Sequence, residues 1–278
     1  MSSKKRKRII IALILLIFAA LSAWGFTMQT VYYNVRTDKL TKQLRIVFIS
    51  DLHNCFYGGT DQSAIIEEVR KNQPDIVIFG GDVIDQWGGT KYALNLISML
   101  RQDYPCFYTP GNHEESRNDK EEFYNEVGKL CPVIMGDYEQ VSINGQDIRI
   151  YGALDSIEWG KNKTQLEECF DTLDANYYNI LIIHAPDQIN FCLGRSENKY
   201  FDLILSGHAH GGQWRIPKIL DQGLYAPDQG LFPSYTTGMY EYENTVHIIS
   251  RGLAKPLRMI LIPRIFNHPE LSVITVGQ

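Results

Sequence analysis

The chain alternates short runs of consecutive apolar residues with segments in which apolar residues recur every three or four positions. Runs rich in β-branched residues and bounded by Gly or Pro predict buried strands of a mostly parallel sheet, and the other segments predict amphipathic helices. The predicted strands are residues 44–50, 76–80, 106–109, 180–183, 201–205, 245–250 and 271–276. The predicted helices are residues 61–71, 91–100, 121–129 and 164–174. This order of elements predicts an α/β fold.

The remaining segments complete the predicted organisation. Residues 133–155 have the pattern of several short strands, and Asn144-Gly145 is a hairpin turn between two of them. Residues 27–43 look like a polar connector with a short extended piece around Val31. No fixed-period repeat or composition break divides the body, which suits one large domain. We therefore predict four parts: a basic tail at 1–8, an anchor or signal at 9–26, a linker at 27–43 and one domain at 44–278.

The N-terminus has the pattern of a membrane anchor. Five basic residues, from Lys4 to Arg8, stand directly before the uncharged apolar run 9–26. This length is at the lower end of what crosses a bilayer as a helix, and the basic flank predicts a cytoplasmic N-terminus. We expect a single-pass protein of the cell membrane with its body outside the cytoplasm. A cleavable signal peptide is the alternative, because Ala20-Leu-Ser-Ala23 offers small residues for cleavage.

Charge and cysteine content exclude some function classes. Without the five N-terminal basic residues, 22 Lys and Arg face 32 Asp and Glu, a net charge of −10. A body this acidic is not drawn to nucleic acid by its overall field, so we expect no nucleic acid partner. The five cysteines include no CxxC pair, which excludes a zinc ribbon or a redox pair. Scattered thiols are unusual in an oxidising space, but the charge bias is the stronger topology signal.

Candidate metal ligands follow five of the predicted strands. Open α/β sheets bind ligands at the carboxyl ends of their strands, and five of the seven histidines lie there. A buried histidine with satisfied hydrogen bonds is the ordinary alternative for each one, but it does not explain why they gather. The residues after the strands include Asp51, His53, Asp82, Asn112, His113, His184, His208 and His210. Nitrogen and oxygen donors without thiolate suit Mn²⁺, Fe or Zn²⁺, and so many ligands suit two ions that share a carboxylate.

The order of these motifs resembles the calcineurin-like metallophosphoesterases over about residues 44–262. The motifs are Asp51-x-His53, Gly81-Asp82-x-x-Asp85, Gly111-Asn112-His113-Glu114, His184 and Gly207-His208-x-His210. The resemblance implies two mixed β-sheets packed together and flanked by helices, a four-layer sandwich. It also implies two divalent metal ions and a phosphoester substrate.

Carried over residue by residue, the resemblance implies a role for each candidate. The first metal would be held by Asp51, His53 and His210, the second by Asn112, His184 and His208, and Asp82 would bridge them. The catalytic histidine would be His113, which hydrogen-bonds the phosphate and protonates the leaving alkoxide while Asp85 orients its ring. Glu114 is expected to hold the loop. Trp87 stands where the family pattern often has Gly, a departure that affects the local loop shape.

A less specific resemblance extends through the tail. Residues 208–217, 224–227, 235–240 and 250–253 resemble the membrane-anchored bacterial subgroup typified by the YkuE and YaeI proteins. We therefore expect a phosphodiesterase-type hydrolase, in which a metal-activated hydroxide attacks a cell-envelope phosphoester that is lipid- or wall-linked. Two alternatives remain: a pyrophosphatase acting on UDP-2,3-diacylglucosamine, and a non-catalytic metal-binding scaffold on the same fold. Metal identity, monoester or diester preference and oligomeric state stay open at this point.

Overall fold

The computed structural model describes residues 4–13, 26–154, 159–194, 196, 199–256 and 263–278, without the side chains of 159–163. Residues 4–13 are helical. Within these ranges, no helix is both long enough and apolar enough to cross a bilayer. Most of the predicted anchor at 9–26 lies outside the described residues, because 14–25 are not among them.

Strands and helices alternate through most of the described chain, as the apolar pattern predicts. The strands are β1 Gln29–Val35, β2 Leu44–Ile49, β3 Ile76–Gly80, β4 Cys106–Thr109, β5 Asp137–Ile143, β6 Gln146–Ala153, β7 Tyr178–Ile183, β8 Leu203–Ser206, β9 Tyr225–Ala226, β10 Gly230–Leu231, β11 Gly238–Glu241, β12 Val246–Ile249 and β13 Glu270–Val276. The labelled helices are α1 Ser63–Asn72, α2 Lys91–Leu100, α3 Asn112–Glu115, α4 Lys120–Gly128, α5 Trp159–Thr172 and α6 Ile189–Cys192. Short 3₁₀ turns lie at Pro186–Gln188 and His210–Gly212.

Two mixed sheets form the body of the molecule. The first has five strands in the order β1-β13-β2-β3-β4, and the second has six in the order β11-β12-β8-β7-β6-β5. Strands β2, β3 and β4 are parallel. Strands β6, β7 and β8 are also parallel. The carboxyl ends of each parallel set therefore lie at one edge of its sheet.

The sheets pack face to face, with helices on both outer faces. Successive residues of a strand point to opposite sides of its sheet. On the inner side, Ile46 and Ile78 of the first sheet share a buried cluster with Ile150, Ile182 and Leu205 of the second.

On the outer sides, neighbouring residues of the same strands face the helices. Val47 and Phe79 pack with Ile65 of α1 and Leu96 of α2. Leu181, Ile183 and Ile204 of the second sheet form a cluster with Leu166 and Phe170 of α5. The layers run helices, sheet, sheet, helices, so the predicted α/β fold with two packed mixed sheets is confirmed.

Several local predictions are confirmed as well. Strand β3, helix α2 and strand β4 begin and end at the predicted residues. The predicted turn joins β5 to β6, with φ of 55° at Asn144 and 79° at Gly145. Two successive positive φ values match the right-handed twist of the strands, and Gly accepts the second without strain.

The predicted extended piece around Val31 is confirmed, but it is a full strand of the first sheet and not part of a polar connector. Strand β1 is seven residues long and pairs in parallel with β13, from Gln29 opposite Glu270 to Val35 opposite Val276. This pairing joins segments about 240 residues apart, so no local pattern reveals it. The division into a linker at 27–43 and a domain at 44–278 stays a prediction.

Candidate metal centre

The candidate residues follow β2, β3, β4, β7 and β8, at the edge where these parallel strands end. Many of them have a left-handed backbone, which L-residues rarely adopt. The φ values are 51° at Asp51, 47° at His53, 53° at Asp82, 64° at His208 and 47° at His210. Each such conformation costs on the order of 1–3 kcal/mol and persists where surrounding structure enforces it, often at functional sites. The fold thus stores strain where these side chains converge.

Ligand atoms of these residues lie close together in overlapping groups. Asp51, His53 and His210 form one group, here called the first triad. Asp82, His184 and His208 form another, the second triad. In each triad the candidate atoms all lie within 4.8 Å of one another.

Asp82 connects the two triads. Its Oδ2 atom lies 3.2 Å from His184 Nε2 in the second triad and 3.6 Å from His53 Nε2 in the first. A third group contains His53, Asp82 and His113. The predicted ligand Asn112 joins the second triad, because its Oδ1 lies 3.0 Å from His208 Nδ1. The structure therefore brings all seven predicted ligands together.

These distances fit metal ligands. His53 Nε2 and Asp82 Oδ2 are 3.6 Å apart, and His210 Nε2 and Asp51 Oδ1 are 3.9 Å apart. Such separations are long for hydrogen bonds, but two donors that each lie about 2.1 Å from one ion are roughly 3–4 Å apart. The buried Asp51 Oδ2 has no hydrogen-bond partner among the described residues. The donor set and its spacing suit divalent cations.

Hydrogen bonds from the backbone orient the donors. Asp51 Oδ1 accepts from the backbone N–H of His208 at 2.9 Å, and Asp82 Oδ1 accepts from that of His113 at 2.9 Å. His184 Nδ1 lies 2.7 Å from the Gly80 carbonyl oxygen, which leaves Nε2 directed at the carboxylates. Gly81 permits this approach, since its φ is 86° and a Cβ there would lie 2.6 Å from His184 Nδ1.

Glu114 holds the loops, as expected from the sequence. Its fully buried carboxylate accepts hydrogen bonds from the backbone N–H groups of Asp82 at 2.8 Å, Ile84 at 3.0 Å and Gly111 at 2.9 Å. These contacts tie the turn after β3 to the start of α3. Glu114 therefore fixes the relative position of Asp82 and Asn112, and it belongs to none of the candidate ligand groups.

The electrostatics of the cluster favour an ionised Asp82 and a neutral His210. Burial alone raises the pKa of Asp82, but His184, His53 and His113 outweigh it and hold that pKa well below its usual range. Burial and the neighbouring charge of Asp82 raise the pKa of Asp51, although His184 opposes them. Burial, with His53 and Arg264, holds the pKa of His210 well below its usual range. Bound cations would relieve the repulsion between the two carboxylates.

His113 and Asp85 form a pair beside this cluster. His113 Nδ1 lies 2.9 Å from Asp85 Oδ1, and His113 Nε2 lies 3.8 Å from Asp82 Oδ2. The His113 side chain is 23% exposed, so solvent and small molecules reach it. Burial lowers the pKa of His113, but the hydrogen bond to Asp85 and the charges of Asp82 and Asp85 raise it above its usual value. This imidazole is suited to carry a proton.

Three residues at the site could not be predicted from the sequence. Asp228, in the turn between β9 and β10, has its Oδ2 2.7 Å from His208 Nε2. Arg264 is buried, and its Nη2 lies 3.5 Å from His210 Nδ1. Asn267 donates from Nδ2 to the backbone carbonyl of His210 at 2.7 Å. None of these three residues belongs to a recognisable local motif. The only signal in the sequence was the motif that contains His208 and His210, which the three residues contact.

Known proteins share this sequence pattern. The family described as Calcineurin-like phosphoesterase matches residues 44–212, which contain every candidate residue from Asp51 to His210. YpbG of Bacillus subtilis is 32% identical, over 92% of this chain and 89% of its own length. The metallophosphoesterase YkuE of the same organism is 28% identical, over 84% of this chain and 78% of its length.

A longer relative is an uncharacterized metallophosphoesterase of Helicobacter pylori strain J99. It is 30% identical, and the match covers 80% of this chain. This chain spans only 58% of that relative's length. The relatives therefore share the region that contains the metal-ligand candidates, and some carry additional sequence.

Proposed function

The chain belongs to the calcineurin-like phosphoesterase family, and from that premise we propose that it is a phosphodiesterase-type hydrolase with two divalent metal ions. The observation that carries the proposal is the pair of triads joined by Asp82, with the His113–Asp85 pair beside them. A cluster of this kind combines cation ligands with a positioned proton donor. The ions would stabilise charge on the phosphate, and the proton donor would assist departure of an alkoxide.

The seven ligands divide between two ions. Asp51, His53 and His210 would hold the first ion, and Asp82 would serve both ions. Asn112, His184 and His208 would complete the site of the second. Two such ions supply Lewis acidity at phosphoryl oxygens and lower the pKa of water. Mn²⁺, Fe and Zn²⁺ all suit donors of this type.

His113 acts on the leaving group. Its Nδ1 is held by Asp85, so the proton it can give is on Nε2, which faces the donor cluster. When the bond from phosphorus to the leaving oxygen breaks, that proton passes to the oxygen, and the departing group leaves as an alcohol. Asp85 stabilises the charged imidazole and keeps its ring in one orientation. The raised pKa of His113 supports this role.

The substrate we propose is a phosphoester of the cell envelope, lipid- or wall-linked, hydrolysed outside the cytoplasmic membrane. Support comes from the sequence, in which five basic residues precede the apolar run 9–26. A reporter fused after residue 278 tests the orientation. Activity of the reporter only in the cytoplasm would contradict it and favour cleavage of a UDP-linked lipid precursor.

The test of the chemistry uses the full chain in detergent with Mn²⁺, and with a chelator as the control. The substrates are an alkyl phosphodiester, bis-p-nitrophenyl phosphate, p-nitrophenyl phosphate and a UDP-linked lipid analogue. We expect metal-dependent cleavage of the diesters. A folded protein that binds two ions and cleaves none of these substrates would favour the non-catalytic scaffold.

The role of His113 is tested by comparing leaving groups. His113→Ala should lower turnover of the alkyl diester about 10²–10⁴-fold, the contribution of a general acid. It should lower turnover of bis-p-nitrophenyl phosphate less, because nitrophenolate leaves without a proton. His268→Ala, a histidine outside the cluster, is the matched control. Equal losses on both substrates would show that His113 does not protonate the leaving group.

A further inference from the structure

Large apolar side chains are exposed in the segments that follow the last metal-ligand candidates. Ile219 is 81% exposed, Phe232 69%, Leu231 66% and Ile216 47%, and Phe266 is 36% exposed. We call these five residues the apolar rim. Single exposed apolar residues are common, but several in neighbouring segments indicate a binding surface.

Backbone hydrogen bonds hold the rim segments against one another. The Arg215 N–H donates to the Ile265 carbonyl at 2.9 Å. The residues that follow in each segment, Ile216 and Phe266, are therefore close to each other. The Leu224 N–H donates to the Gly212 carbonyl at 2.8 Å, which closes the loop that carries Ile219. The Phe232 N–H donates to the Leu224 carbonyl at 2.9 Å, so Leu231 and Phe232 lie next to that loop.

The N-terminal apolar run joins the body of the protein close to the apolar rim. That run ends at Phe26, and the carbonyl of Thr27 lies 3.1 Å from His268 Nδ1. The Gln29 N–H donates to the Pro269 carbonyl at 2.8 Å. Three residues of fully extended chain span at most about 10 Å. Phe26, the last residue of the run, therefore lies within that reach of Gln29, which is hydrogen-bonded to Pro269.

The rim is also attached to the metal centre. Asp228, which contacts His208 at 2.7 Å, lies between the loop that carries Ile219 and the exposed Leu231. Asn267, the residue after Phe266, donates to the His210 carbonyl at 2.7 Å. A ligand resting on the rim is therefore next to the second triad and to His210.

We propose that the apolar rim rests on the lipid surface beside the N-terminal apolar run and holds the metal centre at the membrane interface. The substrate is then a phosphoester whose apolar tail stays in the bilayer while its phosphate reaches the metal ligands. The occupant is lipid because the predicted anchor 9–26 is long enough to enter a bilayer. Only a few residues join Phe26 to Gln29, which is hydrogen-bonded to the segment that carries Phe266, so the apolar rim stays close to the membrane that the anchor enters. This inference rests on the proposed function and on the predicted anchor.

The position of the rim is tested in the full chain reconstituted in phospholipid vesicles. A nitroxide label is attached to Ile219→Cys and, as a matched control, to Met135→Cys, an exposed apolar position 37% exposed near the start of β5. The label at 219 should collide more with oxygen than with a nickel chelate, as in lipid, and the label at 135 should do the reverse. Equal, water-like accessibility at both positions would overturn the proposal.

The same measurement separates other occupants. A label at 219 shielded from oxygen and from nickel alike would show that protein covers the rim, either a second copy or the chain's own N-terminal residues. That outcome would also overturn the proposal. The label experiment needs no enzymatic activity, so its result is independent of the proposed function.

A kinetic test addresses the substrate. The double variant Ile219→Ser with Phe232→Ser is compared with Met135→Ser in vesicles that contain a phosphodiester on a lipid. The ratio of lipid-linked to soluble diester cleavage should fall about 10-fold in the double variant and stay unchanged in the control. An unchanged ratio in the double variant would contradict lipid uptake at the rim. If the unaltered chain cleaves neither substrate, the proposed function fails. The label experiment still decides whether the apolar rim contacts lipid.

Discussion

The second triad has oxygen atoms behind both of its histidines, whereas the first triad has a guanidinium group beside His210. In the second triad, His184 contacts the Gly80 carbonyl and His208 contacts the Asp228 carboxylate. In the first, Arg264 Nη2 lies 3.5 Å from His210 Nδ1. An acceptor behind an imidazole raises its basicity as a ligand, and a nearby cation opposes further positive charge. We therefore expect the second triad to hold its ion more tightly than the first.

The largest effect should come from removing the residue that the triads share. Asp82→Ala takes away the Oδ2 atom that lies near both His53 and His184, so both ions should be lost. Loss of several kcal/mol of charge stabilisation corresponds to a fall in kcat/KM on the order of 10⁴-fold. Metal content by atomic emission and turnover of bis-p-nitrophenyl phosphate are the measurements.

Asp202→Asn is the control for Asp82→Ala. Asp202 is a buried carboxylate directly before β8, at the opposite end of that strand from the metal ligands, and Lys39 Nζ lies 2.8 Å from its Oδ1. This variant should keep both ions. Two ions retained in Asp82→Ala would contradict the assignment of Asp82 as the bridge.

A smaller and more selective effect should follow from Asp228→Asn. Without the carboxylate behind His208, affinity at the second triad should fall about 10–100-fold, as for other residues that orient metal ligands. Titration with a chelator in the presence of a metal indicator should resolve two ions in the unaltered protein. In the variant, the two affinities should move closer together.

Asp221→Asn is the matched control, since Asp221 lies on the neighbouring loop and accepts from the Lys218 N–H. It should leave both affinities unchanged. An equal loss of affinity for both ions in Asp228→Asn would show that the turn acts on the whole site, and no loss would show that Asp228 does not position His208.

The smallest effect concerns a histidine outside both triads. His247 on β12 is fully buried, its Nε2 lies 2.9 Å from Ser206 Oγ, and burial lowers the pKa of His247 to about 3. The unfolded chain, with a histidine pKa of about 6.5, binds the proton first as pH falls. Stability is therefore lost progressively between about pH 6.5 and pH 3, by about 2 kcal/mol at pH 5.

His247→Gln should remove this part of the acid sensitivity. The difference in unfolding free energy between pH 7 and pH 5, measured in urea, should shrink by about 2 kcal/mol relative to the unaltered chain. His268→Gln, at a partly buried position outside both triads, is the control and should keep the full difference. An unchanged difference in His247→Gln would show that other groups cause the acid sensitivity. The result also measures how strongly burial by itself lowers the pKa of the His247 imidazole.

Much of the scaffold followed from local pattern. Strands such as β3 are apolar runs bounded by Pro and Gly, and helix α2 has one apolar face. The first and last residues of these elements could therefore be predicted from the sequence. The candidate ligands could be predicted for the same reason. Each comes directly after a strand, and parallel strands end at a common edge.

The residues that only the tertiary structure revealed lie far from any motif. Strand β1 pairs with β13 across almost the whole chain, and nothing in Gln29–Val35 alone indicates its partner. Asp228 and Arg264 lie behind His208 and His210 because short irregular segments fold back over the strand ends. Backbone propensity is weak in such segments, so their course is set by packing.

The sequence by itself determined the α/β class, the order of the main strands and the residue types available to bind metal. Hydrophobic periodicity and strand-end chemistry are local properties, and each can be judged from a few neighbouring residues. The tertiary structure alone decided the distances between the donors, what stands behind each histidine and which apolar side chains stay exposed. These are distances between residues far apart in the chain, and they exist only once the two sheets have packed.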